Sequence, residues 1–400
     1  MYNRVWPLLF ILAILLSSCN NSSSITPEAP ETQGRLLVWH HFEGHEAEAF
    51  NDVLDEYTAI HGTIIIREYF PPDEMVGGFA YRSESGLGPD LLVNHPPFIG
   101  PLIRTGFIQE LKDFNVDTSN FLPDSLDPLR KQGELYGMPF SLFIQVLCYN
   151  KEQVKTPPAT LDDLLKDAEE GHRVALFSKF HSIFWGVSYF GGRLLDEKGK
   201  VILDQGGLAE WFEELKGAKN IPTFILQDDE EILHETFVKG EATYYVCRSN
   251  TIPEIMDDLG EDTLGVMPLP KYQGRSAAPI LGVNALLINR LSSSKNKKLA
   301  LQLAKFLTNP QQQTKLVLAT KSQIPVNKKV VIDDNLSPII AALIEQSETG
   351  IATPLEYQEQ SFETFRYGQL YYTQVLAGEI EPEEAAREIT QHVNDKFGLE

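Results

Sequence analysis

The chain has 400 residues, more than one hydrophobic core usually holds, so two domains are expected. Its composition, 42% hydrophobic and 22% charged, is that of a folded soluble protein and excludes a disordered chain, a collagen-like fibre and a polytopic membrane protein. Lys plus Arg number 34 against 56 Asp plus Glu, a net charge of −22, and so acidic a surface argues against nucleic acid as a partner.

Residues 1–18, MYNRVWPLLFILAILLSS, join one cation, Arg4, to an apolar run over 8–16. That run is too short to cross about 30 Å of hydrocarbon and has the length of a signal-peptide core. It ends in Leu16-Ser17-Ser18-Cys19, which resembles the lipobox of bacterial lipoproteins. The resemblance implies cleavage before Cys19, acylation there, and stable anchoring on the extracytoplasmic side of a bacterial membrane. Residues 19–34 are Ser-, Pro- and Asn-rich and read as a flexible tether.

Further along, 35–39 (RLLVW) reads as a buried strand and 46–60 as an amphipathic helix, with Phe50, Val53, Leu54 and Tyr57 on one face. Residues 63–68 (TIIIRE) are β-branched and strand-like, and Gly88-Pro89-Asp90 introduces another apolar strand at 91–93. The later chain repeats the alternation, with helices at 161–170, 208–215 and 297–308 and strands at 174–177 and 242–246. This is the grammar of α/β domains with largely parallel sheets, two lobes with a ligand cleft between them. Cys148 and Cys247 sit inside strand-like runs and read as buried free thiols, with a disulfide left open because sequence gives no distance.

Signatures of chemistry are missing. No GxGxxG, GxxxxGK[ST], GxSxG or HExxH occurs, and no cofactor is signalled. His40, His41 and His45 invite a metal reading, which Tyr244-Tyr245 and Tyr371-Tyr372 could extend to ferric iron. Hydrogen-bonding imidazoles are the expected role instead, because the three histidines straddle a strand end and a helix start. Neither a metal site nor an enzyme is expected.

Several ordered segments resemble family 1 extracellular solute-binding proteins of ABC transporters, the maltose-binding-protein-like carbohydrate receptors. They are RLLVWHHFEGHEAEAF at 35–50, Gly88-Pro89-Asp90-Leu91-Leu92, Gly106 to Leu111, Tyr136-Gly137-Met138-Pro139-Phe140 with Tyr149-Asn150-Lys151, and Gly191-Gly192 with Asp196 to Lys200. Phe237 to Ala242, Leu264 to Pro270, Ala304 to Gln311 and Gln323 to Asn327 follow. The resemblance implies two discontinuous α/β lobes joined by a hinge: 35–142 plus 285–322, and 145–281 plus 326–400. It implies a monomer that closes on a carbohydrate and delivers it to ABC permease subunits. A ligand-sensing lipoprotein, or a receptor for iron or another solute, remains an alternative on the same fold.

Position by position, the resemblance places ligand contacts at His41, Phe42 and Glu43, at Asn94 and Phe98, and at Phe143. It adds Lys179, His181 and Trp185, then Arg248 and Asn250, and finally Phe365. Aromatic rings would cover the C–H face of a sugar while planar polar groups meet its hydroxyls. Pro97 and Phe143 stand where relatives place carboxylates, and His181 and Phe365 replace a Tyr and a Trp, so the cleft looks less suited to maltodextrin.

Overall fold

The computed structural model describes residues 34–333 and 337–399. The expected leader, Cys19 and all of the tether but Gly34 lie outside the described residues.

The run GRLLVWH forms β1 (Gly34–His40). Helix α1 (Gly44–His61) buries Phe50, Val53, Leu54 and Tyr57, the face that the spacing picks out. It stops at Gly62, whose φ of 66° is a left-handed turn that glycine adopts without strain. The Gly62 N–H closes onto the Thr58 carbonyl at 2.9 Å, and the chain passes directly into β2 (Thr63–Tyr69). Helix α2 (Pro72–Glu84) and β3 (Leu91–Asn94) extend the alternation. Then β4 (Met138–Phe143) adds to the same sheet, and after one residue β5 (Gln145–Asn150) opens a second sheet.

Strands β6 (Val174–Phe177), β7 (Phe224–Gln227), β8 (Tyr244–Arg248) and β9 (Leu264–Met267) complete that second sheet, with α3 (Ile252–Leu259) between the last two. The chain then returns: β10 (Gly282–Ile288) and, after α4 (Ser294–Leu307) and α5 (Pro310–Thr320), β11 (Ile324–Pro325) join the first sheet. Helices α6 (Gln358–Ala377) and α7 (Pro382–Phe397) pack on each other and on helix Leu208–Lys219 beside the second sheet.

The strand orders are β11-β4-β10-β3-β1-β2 and β9-β5-β8-β6-β7. Both sheets are mixed, which corrects the expectation of largely parallel ones. β1 runs parallel to β2 and β3, and β6 to β7 and β8. The strands next to the crossings, β4, β5 and β10, pair antiparallel. Parallel pairing needs a crossover that returns the chain to the same end of its sheet, and these strands instead arrive from, or leave for, the other lobe.

Each lobe has its own apolar interior. Phe50, Phe79, Leu92 and Phe140 are fully buried in the first, and Phe184, Trp211, Phe212 and Ile389 in the second. Cys148 on β5 and Cys247 on β8 form a disulfide across a Cα–Cα distance of 5.8 Å. The expectation of free thiols is therefore corrected: antiparallel pairing of β5 with β8 brings two residues 99 apart in sequence onto neighbouring strands. Among the described residues no helix is long and apolar enough to cross a membrane.

Candidate ligand-binding site

A cleft of about 670 Å³ opens where β1, β3, β4 and β8 end, within the size range of small-molecule sites. The first lobe supplies His41 and Glu43 after β1, His45, Glu46 and Glu48 from the start of α1, His95 after β3, Phe143 at the end of β4, Asn284 on β10, and Gln323. The facing wall carries Arg248 at the end of β8, Asn250 just after it, and Glu254 and Asp257 from α3.

Phe143 gives the cleft an apolar wall. Its ring lies against Gly282, where any Cβ would collide with it, so a glycine at this position lets the ring sit flat on β10. His95 stands edge-on to Phe143 and to Phe98, each at 5.6 Å between ring centroids.

Around this wall the groups are mostly acceptors. Among the lining residues, the carboxylates of Glu43, Glu46, Glu48, Glu254 and Asp257 share the cleft with one guanidinium, Arg248, which donates from Nη2 to Glu230 Oε2 at 2.6 Å. The Tyr69 hydroxyl donates to Glu43, which pushes ionisation of the phenol up to about 12. Ser322 donates to Glu46 Oε1 at 2.9 Å, while burial raises the Glu46 carboxyl above its ordinary range. At the mouth, His45 Nε2 meets Asp257 Oδ2 at 2.7 Å and Lys321 pairs with Glu261, both joining the two lobes. On another side of the interface Arg104 meets Glu359 at 2.5 Å. Among the described residues no three His, Cys, Asp or Glu side chains converge as a metal site would require.

Burial is the main reason that His41 titrates at about 4 and His95 at about 3, with Arg248 and the neighbouring histidine also opposing protonation of His95. In the unfolded chain both rings titrate near 6.5, so between pH 6.5 and about 4 the unfolded state binds more protons. Stability should therefore fall as the pH drops through that window. The Asp257 contact raises His45, whose contribution instead falls as pH rises above 6.5. Glu46 opposes the histidines only above its ordinary 4.5, so their share is read by difference. The urea midpoint should drop more between pH 7 and pH 4.5 in the wild type than in His95→Gln. Equal drops would show that the ring is not held uncharged.

A family model described as bacterial extracellular solute-binding protein matches residues 52–342. The chain belongs to the bacterial extracellular solute-binding proteins. The family is one of binding proteins, not of enzymes. This solute-binding protein is 27% identical to the maltotriose-binding protein of Pyrococcus abyssi, over 79% of this chain and 72% of that one. It is 23% identical to the galactooligosaccharide-binding protein of Bacillus subtilis, over 88% and 87% of the two chains. Its fold is similar to that of the GacH receptor of Streptomyces glaucescens, a protein solved both unliganded and with acarbose. The TM-score is 0.79 at 18% identity, covering 90% of this chain and 98% of that one.

The receptor's structure brings five of the twelve expected contacts, His41, Glu43, Phe143, Arg248 and Asn250, to the cleft wall. Phe42 points the other way, into the first-lobe core between Phe50 and Phe140, because neighbouring residues at a strand end face opposite sides. Asn94 is fully buried, and its Oδ1 accepts the His95 backbone N–H at 2.8 Å, so the side chain at the wall is His95. Phe98 backs His95 and does not line the cleft.

In the second lobe, Lys179 pairs with Asp228 at 3.5 Å, and His181 is exposed near Phe177; neither lines the cleft. Trp185 is 2% exposed and packs on Trp211 at 4.8 Å, and Phe365 packs on Phe184 at 5.4 Å. These two rings build the second core and not the cleft wall. The cleft gains His95, Asn284, Glu46, Glu254 and Asp257, which the sequence reading left out. A signal for the last two existed: Glu254 and Asp257 are three apart on a helix that starts two residues after Asn250.

Proposed function

We propose that this receptor binds an uncharged saccharide in the cleft, closes its lobes over it and delivers it to ABC permease subunits. The observation that carries the reading is the cleft itself. One apolar ring, Phe143, stands among neutral imidazoles, amides and carboxylates, the complement of a sugar's C–H face and hydroxyl rim. The names of the two relatives and the acarbose complex point to the same ligand class. Five cleft carboxylates offer hydroxyl acceptors in place of those lost at positions 97 and 143. The proposed lobes are 35–142 plus 285–322 and 145–281 plus 326–400. Their hinge lies at the crossings near Ile144, 282–284 and 323–325, where a few residues absorb the rotation. The receptor acts as a monomer.

Titration with maltotriose and with galactooligosaccharides tests this. A true ligand at about 100 times its Kd should stabilise the protein by about 2.7 kcal/mol. It should also reduce the radius of gyration. Phe143→Ala should weaken binding by about 1–3 kcal/mol while leaving the fold intact. No response to any saccharide would sink the reading.

Anchoring through Cys19 belongs to the same proposal and rests on the Leu-Ser-Ser-Cys sequence. Cys19→Ala should turn a detergent-dependent membrane protein into a soluble one after cell breakage, and persistent membrane association would contradict it.

A further inference from the structure

We propose that Asn284 is a positioning residue that fixes the proton on His41 and thereby makes His95 an uncharged N–H donor to the bound ligand. The proposal rests on the saccharide reading for the ligand but not for the geometry.

The fold assembles four polar side chains at one end of the first sheet. Ser141 on β4 and Asn284 on β10 are directly paired across the sheet, and His41 and His95 follow the ends of β1 and β3. Asn284 is 4% exposed and Ser141 is 2% exposed. The Asn284 Nδ2 donates to Ser141 Oγ at 2.9 Å, which turns its Oδ1 toward His41 Nε2 at 3.2 Å. An amide oxygen only accepts, so His41 Nε2 carries the proton.

That same N–H lies 3.4 Å from Nδ1 of His95. Two N–H groups cannot face one another, so Nδ1 of His95 is the bare nitrogen and its proton sits on Nε2. His95 Nε2 has no partner among the described residues and is not sealed from the cleft, which leaves a donor for the ligand. The residue is held at its backbone and on two sides of its ring. Asn94 accepts its backbone N–H, and Phe98 and Phe143 stand edge-on to it. The charged and titratable groups around the pair are Arg248, His40 and Glu43, and burial keeps both rings neutral at pH 7. A fixed neutral donor selects an oxygen acceptor, such as a hydroxyl or glycosidic oxygen, and rejects an ammonium group at that spot.

Long-range proton–nitrogen NMR spectra of the ligand-free chain decide the relay, because protonated and bare ring nitrogens resonate far apart. The wild type should show a protonated Nε2 on both His41 and His95. Asn284→Leu should release both rings into mixed tautomers and lower maltotriose affinity about tenfold, the value of one hydrogen bond. Asn284→Asp restores an acceptor at the same atom, so it should recover the His95 tautomer and most of the affinity while raising the pH at which His41 titrates. Ser141→Ala, a smaller change, should loosen the same tautomers if Asn284→Leu fails to fold. A protonated Nδ1 on His95 in the wild type, or unchanged tautomers in both Asn284→Leu and Ser141→Ala, would overturn the relay. Absence of binding to any saccharide in the wild type would strike the saccharide reading alone, since the spectra judge the relay without ligand.

Discussion

Trp185→Ala should cost about 3–5 kcal/mol of unfolding free energy and leave saccharide affinity of the folded protein unchanged. The ring is 2% exposed, tilted against Trp211 at 4.8 Å and edge-on to Tyr189 at 5.8 Å. Trp211 is itself pinned, donating from Nε1 to the Ile183 carbonyl at 2.6 Å, with Gly186 packed on its face. The neighbours are therefore poorly placed to collapse into the void, which is the condition for a large cavity cost. The Trp185 indole N–H is buried without a partner, so its loss removes no hydrogen bond. Trp185→Phe, which keeps a ring and deletes the orphaned donor, should be far milder than Trp185→Ala. Chemical denaturation paired with calorimetric titration checks both substitutions. A large affinity loss at unchanged stability would return Trp185 to the ligand site.

Breaking the Cys148–Cys247 bond should lower stability by about 2–5 kcal/mol. The bond lies in the middle of the second sheet, both cysteines are fully buried, and it closes a loop of 99 residues, so its removal frees a long stretch of unfolded chain. It also sits immediately before Arg248 and three residues before Asn250 in the cleft wall. The urea midpoint of the wild type should fall on addition of reductant. Cys148→Ala combined with Cys247→Ala should give the lower midpoint with or without reductant. A midpoint that reductant leaves unchanged in the wild type would mean that the bond contributes nothing.

Much of the fold was legible because local rules and tertiary packing agree here. The buried face of α1 and the β-branched run of β2 are each readable from spacing and composition. Strand direction was not, since the same alternation of strands and helices serves a parallel or a mixed sheet. At the site, His41, Glu43, Phe143, Arg248 and Asn250 came from the resemblance, and each lies at or just beyond the end of a strand, where α/β sheets bind ligands. The single-residue shift from Asn94 to His95 was not legible, because neighbours at a strand end point to opposite sides and only the register says which side is the cleft. Trp185 and Phe365 were assigned as aromatic platforms by resemblance, whereas a large ring serves a core equally well. Two cysteines 99 residues apart give no sign of which strands will lie side by side.

The chain order of the strands has a consequence for how divisible this molecule is. The first sheet takes β1 to β4 from before residue 144 and β10 and β11 from after residue 281, with the whole second sheet inserted between them. A single cut between β5 and β9 leaves each fragment holding strands of both sheets, so neither fragment carries a finished lobe. A linear truncation cannot release the first lobe either, because its central strand β10 lies between β3 and β4 in the sheet yet comes after every strand of its partner. The two lobes are thus not separable by one cut, and expressing the first without the second takes excision of the segment between β4 and β10, whose flanking residues Phe143 and Gly282 are paired on neighbouring strands, with the chain ended after β11.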